Sequence, residues 1–130
     1  MKHSDLKAGG RLRRLAVASL VLIATAGMLV GGARAGQQTG TVIRVQVNKD
    51  YGGGVVTFNV SGAAPTGQPA CVTDPGRWTL KTTDNNPLND ETYAMLLTAL
   101  TTGLQVTVYG ADTCSVISWV EDIVSVQIDK

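Results

Sequence analysis

Catalysis in this chain would have to come from its carboxylates, its hydroxyls or its two cysteines, and none of them stands in the pattern that such chemistry requires. Asp90-Glu91 and Glu121-Asp122 are the adjacent acidic pairs. Glycoside cleavage needs two carboxylates facing each other across a cleft with their pKa values driven apart, and neighbours at a helix start or a strand bend do not supply that. Ser61, Ser115, Ser118 and Ser125 need a base beside them to act as nucleophiles, and the single histidine, His3, falls in an N-terminal leader. Gly52-Gly53-Gly54 lacks the following Lys-Ser/Thr and the helix of a phosphate-binding loop, so it reads as a hairpin turn. Asp84-x-Asn86 begins like a calcium loop, but Leu88 occupies the next ligand position and the glycine is missing. Asn59-Val60-Ser61 is a glycosylation sequon that lies within a strand and matters only in a eukaryotic secretory route. The expectation is a non-catalytic protein without metal or cofactor, whose work is binding or assembly.

The leader sets the compartment. Lys2, Lys7, Arg11, Arg13 and Arg14 precede an apolar run, LAVASLVLIATAGMLV at 15–30, and Ala33-Arg34-Ala35 is a small-x-small cleavage site. The run is about 16 residues, short of the roughly 20 needed to span a bilayer, so residues 1–35 read as a secretory signal peptide and the product as secreted or periplasmic. Its removal leaves 36–130, with five basic residues against nine acidic ones and a net charge of −4. A mildly acidic exported domain lacks the cationic track that nucleic-acid binding requires. Such a chain makes one small domain, near the size at which only about two-thirds of the unfolded surface can be buried. A covalent staple helps at that size. Cys71 and Cys114 both lie in the exported part, and an even count in an oxidising compartment reads as one disulfide; without histidine, two thiols are too few for zinc.

The elements that must position these groups follow from periodicity. TVIRVQV at 41–47 alternates, with Ile43, Val45 and Val47 on one face, and VVTFNV at 55–60 alternates with Val56, Phe58 and Val60 together. The pair predicts a hairpin. After a Gly/Pro/Ser-rich loop and the Asp74-Pro75-Gly76 turn, a short third strand is expected around 78–81. Asn86 suits an N-cap with Pro87 in the first helical position, Asp90 and Glu91 complement the positive end of the helix dipole, and Gly103 suits a left-handed stop. The helix is therefore expected over 87–102. LQVTVYG at 104–110 is the fourth strand, and 114–128 the last, with a change of phase at Glu121-Asp122 that calls for a bulge or bend. Three strands, a helix and two strands is the chain order of the OB-fold, a five-stranded Greek-key barrel.

The helix carries a second question. From Thr92 to Gly110 the chain has no charged residue, although an amphipathic surface helix normally shows water a charged face. At 100° per residue, Tyr93, Leu96, Leu97 and Leu100 form the expected core stripe, leaving Ala94, Met95, Thr98, Ala99 and Thr102 opposite. That uncharged face implies either a cover within the same chain or contact with other copies.

The run TTGLQVTVYG after an apolar helix, the cysteine just beyond it, the earlier Cys71 and the opening QTGTVIRVQV together resemble the B subunit of subtilase cytotoxin, an AB5 toxin, and its small secreted relatives. The resemblance covers about 38–128. It implies a disulfide-linked OB-fold subunit in a ring of five, with helices lining the pore through Ala94, Met95, Thr98, Ala99 and Thr102, sialylated cell-surface glycans on the rim and a catalytic A subunit as partner. In that family a serine followed by glycine at the start of the first strand contacts the sugar, and Thr39-Gly40 stands in the corresponding place here. The alternative is a stand-alone periplasmic or envelope OB-fold protein that binds a protein partner.

Overall fold

A computed structural model describes residues 35–51, 54–82 and 85–129, all within the compact unit Gly31–Lys130; of the leader expected over 1–35, all but Ala35 lies outside the described residues. Five strands and one helix follow each other as β1 (Gln37–Asn48), β2 (Val55–Gly62), β3 (Arg77–Lys81), α1 (Pro87–Thr102), β4 (Gln105–Gly110) and β5 (Glu121–Asp129). The strands close into a barrel in the order β1-β2-β3-β5-β4. Strand β1 is long enough to serve two neighbours: Gly40–Asn48 pairs with β2, while Gln37–Thr41 pairs with β4. A short parallel contact, Trp78 opposite Glu121 and Thr79 opposite Asp122, joins β3 to β5. With the helix inserted between β3 and β4, this is the OB-fold topology expected from the order of elements.

The barrel interior is filled by Val42, Val56, Phe58, Val60, Trp78, Leu80, Val106 and Val108, with Leu96 and Ala99 of α1 packed into it. The alternation predicted for β2 holds: Val56, Phe58 and Val60 all point inward. In β1 it does not. The register slips between Val42 and Arg44, and the extra residue at this bulge turns Ile43 out to 60% exposure, while Val42 and Val45 face the core. Val47 is exposed as well.

A second slip lies between Tyr109 and Gly110, where β5 passes from Ser125 to Ile123 and leaves Val124 outside at 71% exposure. Ile123, Val126 and Ile128 then pack against the core, which resolves the phase change seen in the sequence just beyond the Glu121-Asp122 pair where it is expected. The last strand also begins later than its sequence suggests. Residues 115–120 form a loop whose Ile117 and Val120 make a small satellite core with Val55.

The helix ends are as the sequence predicts. The side chain of Asn86 accepts a hydrogen bond from the Leu88 N–H at 3.1 Å, and Pro87 opens the first turn. Gly103 closes the helix at φ 68° with its N–H donated to the Ala99 carbonyl at 2.9 Å. The helix is rolled, however, from the expected orientation. Ala99 is fully buried with Leu96, and Leu97 and Leu100 are 38% and 36% exposed. Ala99 therefore belongs to the core and not to an outer face, packed with Leu96 against the barrel interior. The cysteines pair as expected: Cys71 and Cys114 form a disulfide with Cα atoms 6.3 Å apart, tying the turn before β3 to the loop before β5.

Candidate functional site

Two surfaces carry the residues singled out by the sequence. The first is the outer side of α1. With Ala99 withdrawn, it begins one turn beyond the exposed Asp90 and Glu91 and consists of Ala94, Leu97, Thr98, Leu100, Thr101 and Thr102 as exposed residues, with Met95 half-buried at its border. None is charged. Each threonine hydroxyl gives its proton to its own helix: Thr98 donates to the Ala94 carbonyl at 2.9 Å, Thr101 to Leu97 at 3.0 Å and Thr102 to Thr98 at 2.7 Å. Such back-bonding satisfies the hydroxyl locally. A neighbour meeting this face would have no unpaired donor to desolvate, only the hydroxyl lone pairs. The two leucines that the sequence assigned to the core supply its apolar content.

The second surface is the outside of the sheet formed by β2, β1, β4 and β5. Cross-strand register places Ser61, Thr41, Gln105 and Asp129 in one row, Thr39, Thr107 and Gln127 in the next, and Gln37, Tyr109 and Ser125 in a third. Hydroxyls and amides dominate, and Tyr109 offers a ring at 38% exposure. Thr107 donates to Asp129 Oδ2 at 2.7 Å, and the Thr39 and Thr107 hydroxyl oxygens are 2.9 Å apart. A hydroxyl has one proton. Thr107 has given its own to the carboxylate, so Thr39 is the donor between them and its outward lone pairs remain free to accept. Thr41 and Ser61 share a further bond at 2.7 Å, and Gln127 Nε2 donates to Asp129 Oδ1 at 3.1 Å.

Gly40 adjoins Thr39 but points the other way and is buried. A β-carbon there would overlap the Ser61 backbone carbonyl, so the glycine lets β1 cross between β2 and β4 and offers nothing to a ligand. Gly40 is in this respect a structural residue, and the pair Thr39-Gly40 reduces to one hydroxyl on a polar sheet.

The acidic pairs are also separated by the fold. Asp90 lies exposed in the first turn of α1 and Glu91 exposed just beyond it. Glu121 and Asp122 are buried at 0% and 7% exposure and serve the loops at one end of the barrel. Glu121 Oε1 accepts from the Gly36 and Asp112 N–H groups at 2.8 and 3.1 Å, and Asp122 Oδ2 from the Thr113 hydroxyl and the Ser115 N–H at 3.0 and 2.7 Å. Sequence reasoning found these residues as a bend and missed their burial; the apolar residues on both sides, Val120 and Ile123, were the available signal. Among the described residues no group of three or more His, Cys, Asp or Glu side chains could hold a metal ion, and no helix is long and apolar enough to cross a membrane. Comparison of the chain with protein-family models, with curated proteins and with solved structures finds no match.

Proposed function

We propose that this protein is an exported, non-catalytic binding subunit that assembles with copies of itself through the outer face of α1 and presents the polar sheet of β1, β4 and β5 to a glycan. Residues 1–35 act as its signal peptide, and the resemblance to AB5 toxin B subunits supplies a ring of five as the expected assembly. The observation that carries this reading is the uncharged helix face with Leu97 and Leu100 exposed on it. Identical helices meeting around a symmetry axis would repel one another if they carried a charge, and small residues such as Ala94 allow them close approach. Thr98→Glu tests this directly: the variant should fold and run as a monomer on size-exclusion chromatography, and an oligomer of unchanged size would refute self-assembly through α1.

The polarity of the hydroxyl chain qualifies the glycan. Thr39 offers an acceptor, and Asp129 stands behind it with a negative charge. This arrangement favours neutral sugar hydroxyls that donate, and it opposes the carboxylate of a sialic acid close to Thr39. A glycan array probed with the exported protein should show neutral terminal sugars bound, and Thr39→Ala should weaken that binding roughly tenfold, the scale of one hydrogen bond left unmade. Binding unaffected by Thr39→Ala would remove this site. The second reading, a stand-alone envelope protein with a protein partner, draws on the same helix face, and a monomeric exported protein with no glycan bound would favour it.

A further inference from the structure

We infer that removal of the leader at the Ala35–Gly36 bond creates a buried ion pair, in which the new α-ammonium of Gly36 neutralises the carboxylate of Glu121 at the end of the barrel. This rests on the reading of residues 1–35 as a signal peptide.

The geometry is already in place. Glu121 is fully buried, and it is the Gly36 nitrogen that lies 2.8 Å from its Oε1. Its second oxygen, Oε2, is buried without a hydrogen-bond partner among the described residues. A buried carboxylate with half of its acceptor capacity unmet and no cation beside it is a costly arrangement. Arg77 does not serve it, since it pairs with Asp74 at 3.6 Å and lies over the Trp119 ring.

Glycine is required at 36 because a β-carbon there would overlap Glu121 Oε2 and crowd Gln68 and Trp78 at 2.9 Å. Gly110 on the opposite side is held to the same requirement by Glu121 Oε1, and its N–H donates to the Gly36 carbonyl at 2.6 Å. Two glycines thus bring backbone against both sides of one carboxylate. Ala35, by contrast, is exposed.

The step balances as a hydrolysis by the exporting cell's signal peptidase. Water adds across the Ala35–Gly36 amide, its oxygen remains on the Ala35 carboxyl, which leaves with the leader, and the Gly36 nitrogen becomes an amine that takes up a proton. One N–H donor becomes three, with a positive charge, at a position within reach of a carboxylate that has an oxygen to spare. Because Gly36 is buried in the fold, cleavage precedes barrel closure, and the processed chain gains stability that the unprocessed chain lacks.

The test uses the full chain expressed with its leader and purified after export. Intact mass should place the N-terminus at Gly36; a different terminus overturns both the cleavage site and the inference. With Gly36 first, an amine-acylating reagent at neutral pH should modify its α-amine on the order of 100-fold more slowly in the native than in the unfolded protein, as expected for a buried pair, while Lys49 and Lys81 react freely. An α-amine as reactive as in the unfolded chain overturns the ion pair and leaves the leader reading intact. Glu121→Gln should restore reactivity. Should that variant not fold, a leader shifted so that cleavage leaves one extra alanine before Gly36 keeps the amide hydrogen bond and moves the charge out to the exposed alanine; its melting temperature should fall by roughly 10 °C, and an unchanged melting temperature overturns the proposal.

Discussion

Replacing both cysteines, Cys71→Ser with Cys114→Ser, should lower stability by an amount that can be worked from the chain itself. The cysteines are separated by 43 positions, and the chain-entropy relation for a loop of that length removes about 13 cal/mol/K from the unfolded ensemble, or ~4 kcal/mol at 25 °C. The native state should change little, because the two loops are also joined by the Thr73 N–H donated to the Trp119 carbonyl at 3.2 Å and by the Arg77 guanidinium 5.0 Å above the Trp119 ring. For a domain of this size each kcal/mol moves the melting temperature by roughly 4–8 °C, so the expected fall is roughly 15–30 °C. Thermal unfolding followed by tryptophan fluorescence suits the measurement, since Trp78 is fully buried in the barrel. The far-UV spectrum at low temperature should be unchanged. A fall of less than about 5 °C would refute the reasoning, because it would mean that the unfolded chain is already constrained or that the bond does little to restrict it.

Other consequences separate core from surface. Leu96→Ala should cost about 2–5 kcal/mol in urea unfolding, whereas Leu100→Ala should change the stability of the monomer by less than about 0.5 kcal/mol while weakening self-assembly; equal costs would place both leucines in the core. Trp78→Phe should cost about 1–3 kcal/mol beyond its lost contacts, since Trp78 Nε1 donates to Gln38 Oε1 at 2.8 Å and that buried oxygen would lose its donor; a neutral change would show that water reaches Gln38. Gly40→Ala should abolish folding or cost more than about 3 kcal/mol, as the methyl would part β1 from β2 at Ser61, and a well-folded variant would contradict the close strand crossing.

The sequence carries the fold more fully than the surfaces. The order of elements, both helix caps, the β2 face and the disulfide are legible because each depends on local chemistry or on a count of two. Faces that depend on a bulge are not: Ile43 and Val124 sit at extra residues, and one extra residue exchanges inside for outside for everything beyond it. The roll of α1 was hidden for a related reason. A helix bearing apolar residues on every side gives no charged face to fix its phase, so the choice between Leu97 and Ala99 for the core is left to tertiary packing. The pairing of Gly36 with Glu121, 85 positions apart, leaves no periodic trace at all. The polar rows around Thr39 become visible only once register sets β1, β4 and β5 side by side.

Self-assembly through α1 is tested most directly by light scattering on size-exclusion chromatography of the exported, oxidised protein. One processed chain should weigh about 10 kDa, so a closed ring of five would appear near roughly 50 kDa and should collapse to the smaller mass on Leu97→Glu or Thr98→Glu. A wild-type protein that remains at about 10 kDa at high concentration would contradict the account, and the uncharged helix face would then need a different partner.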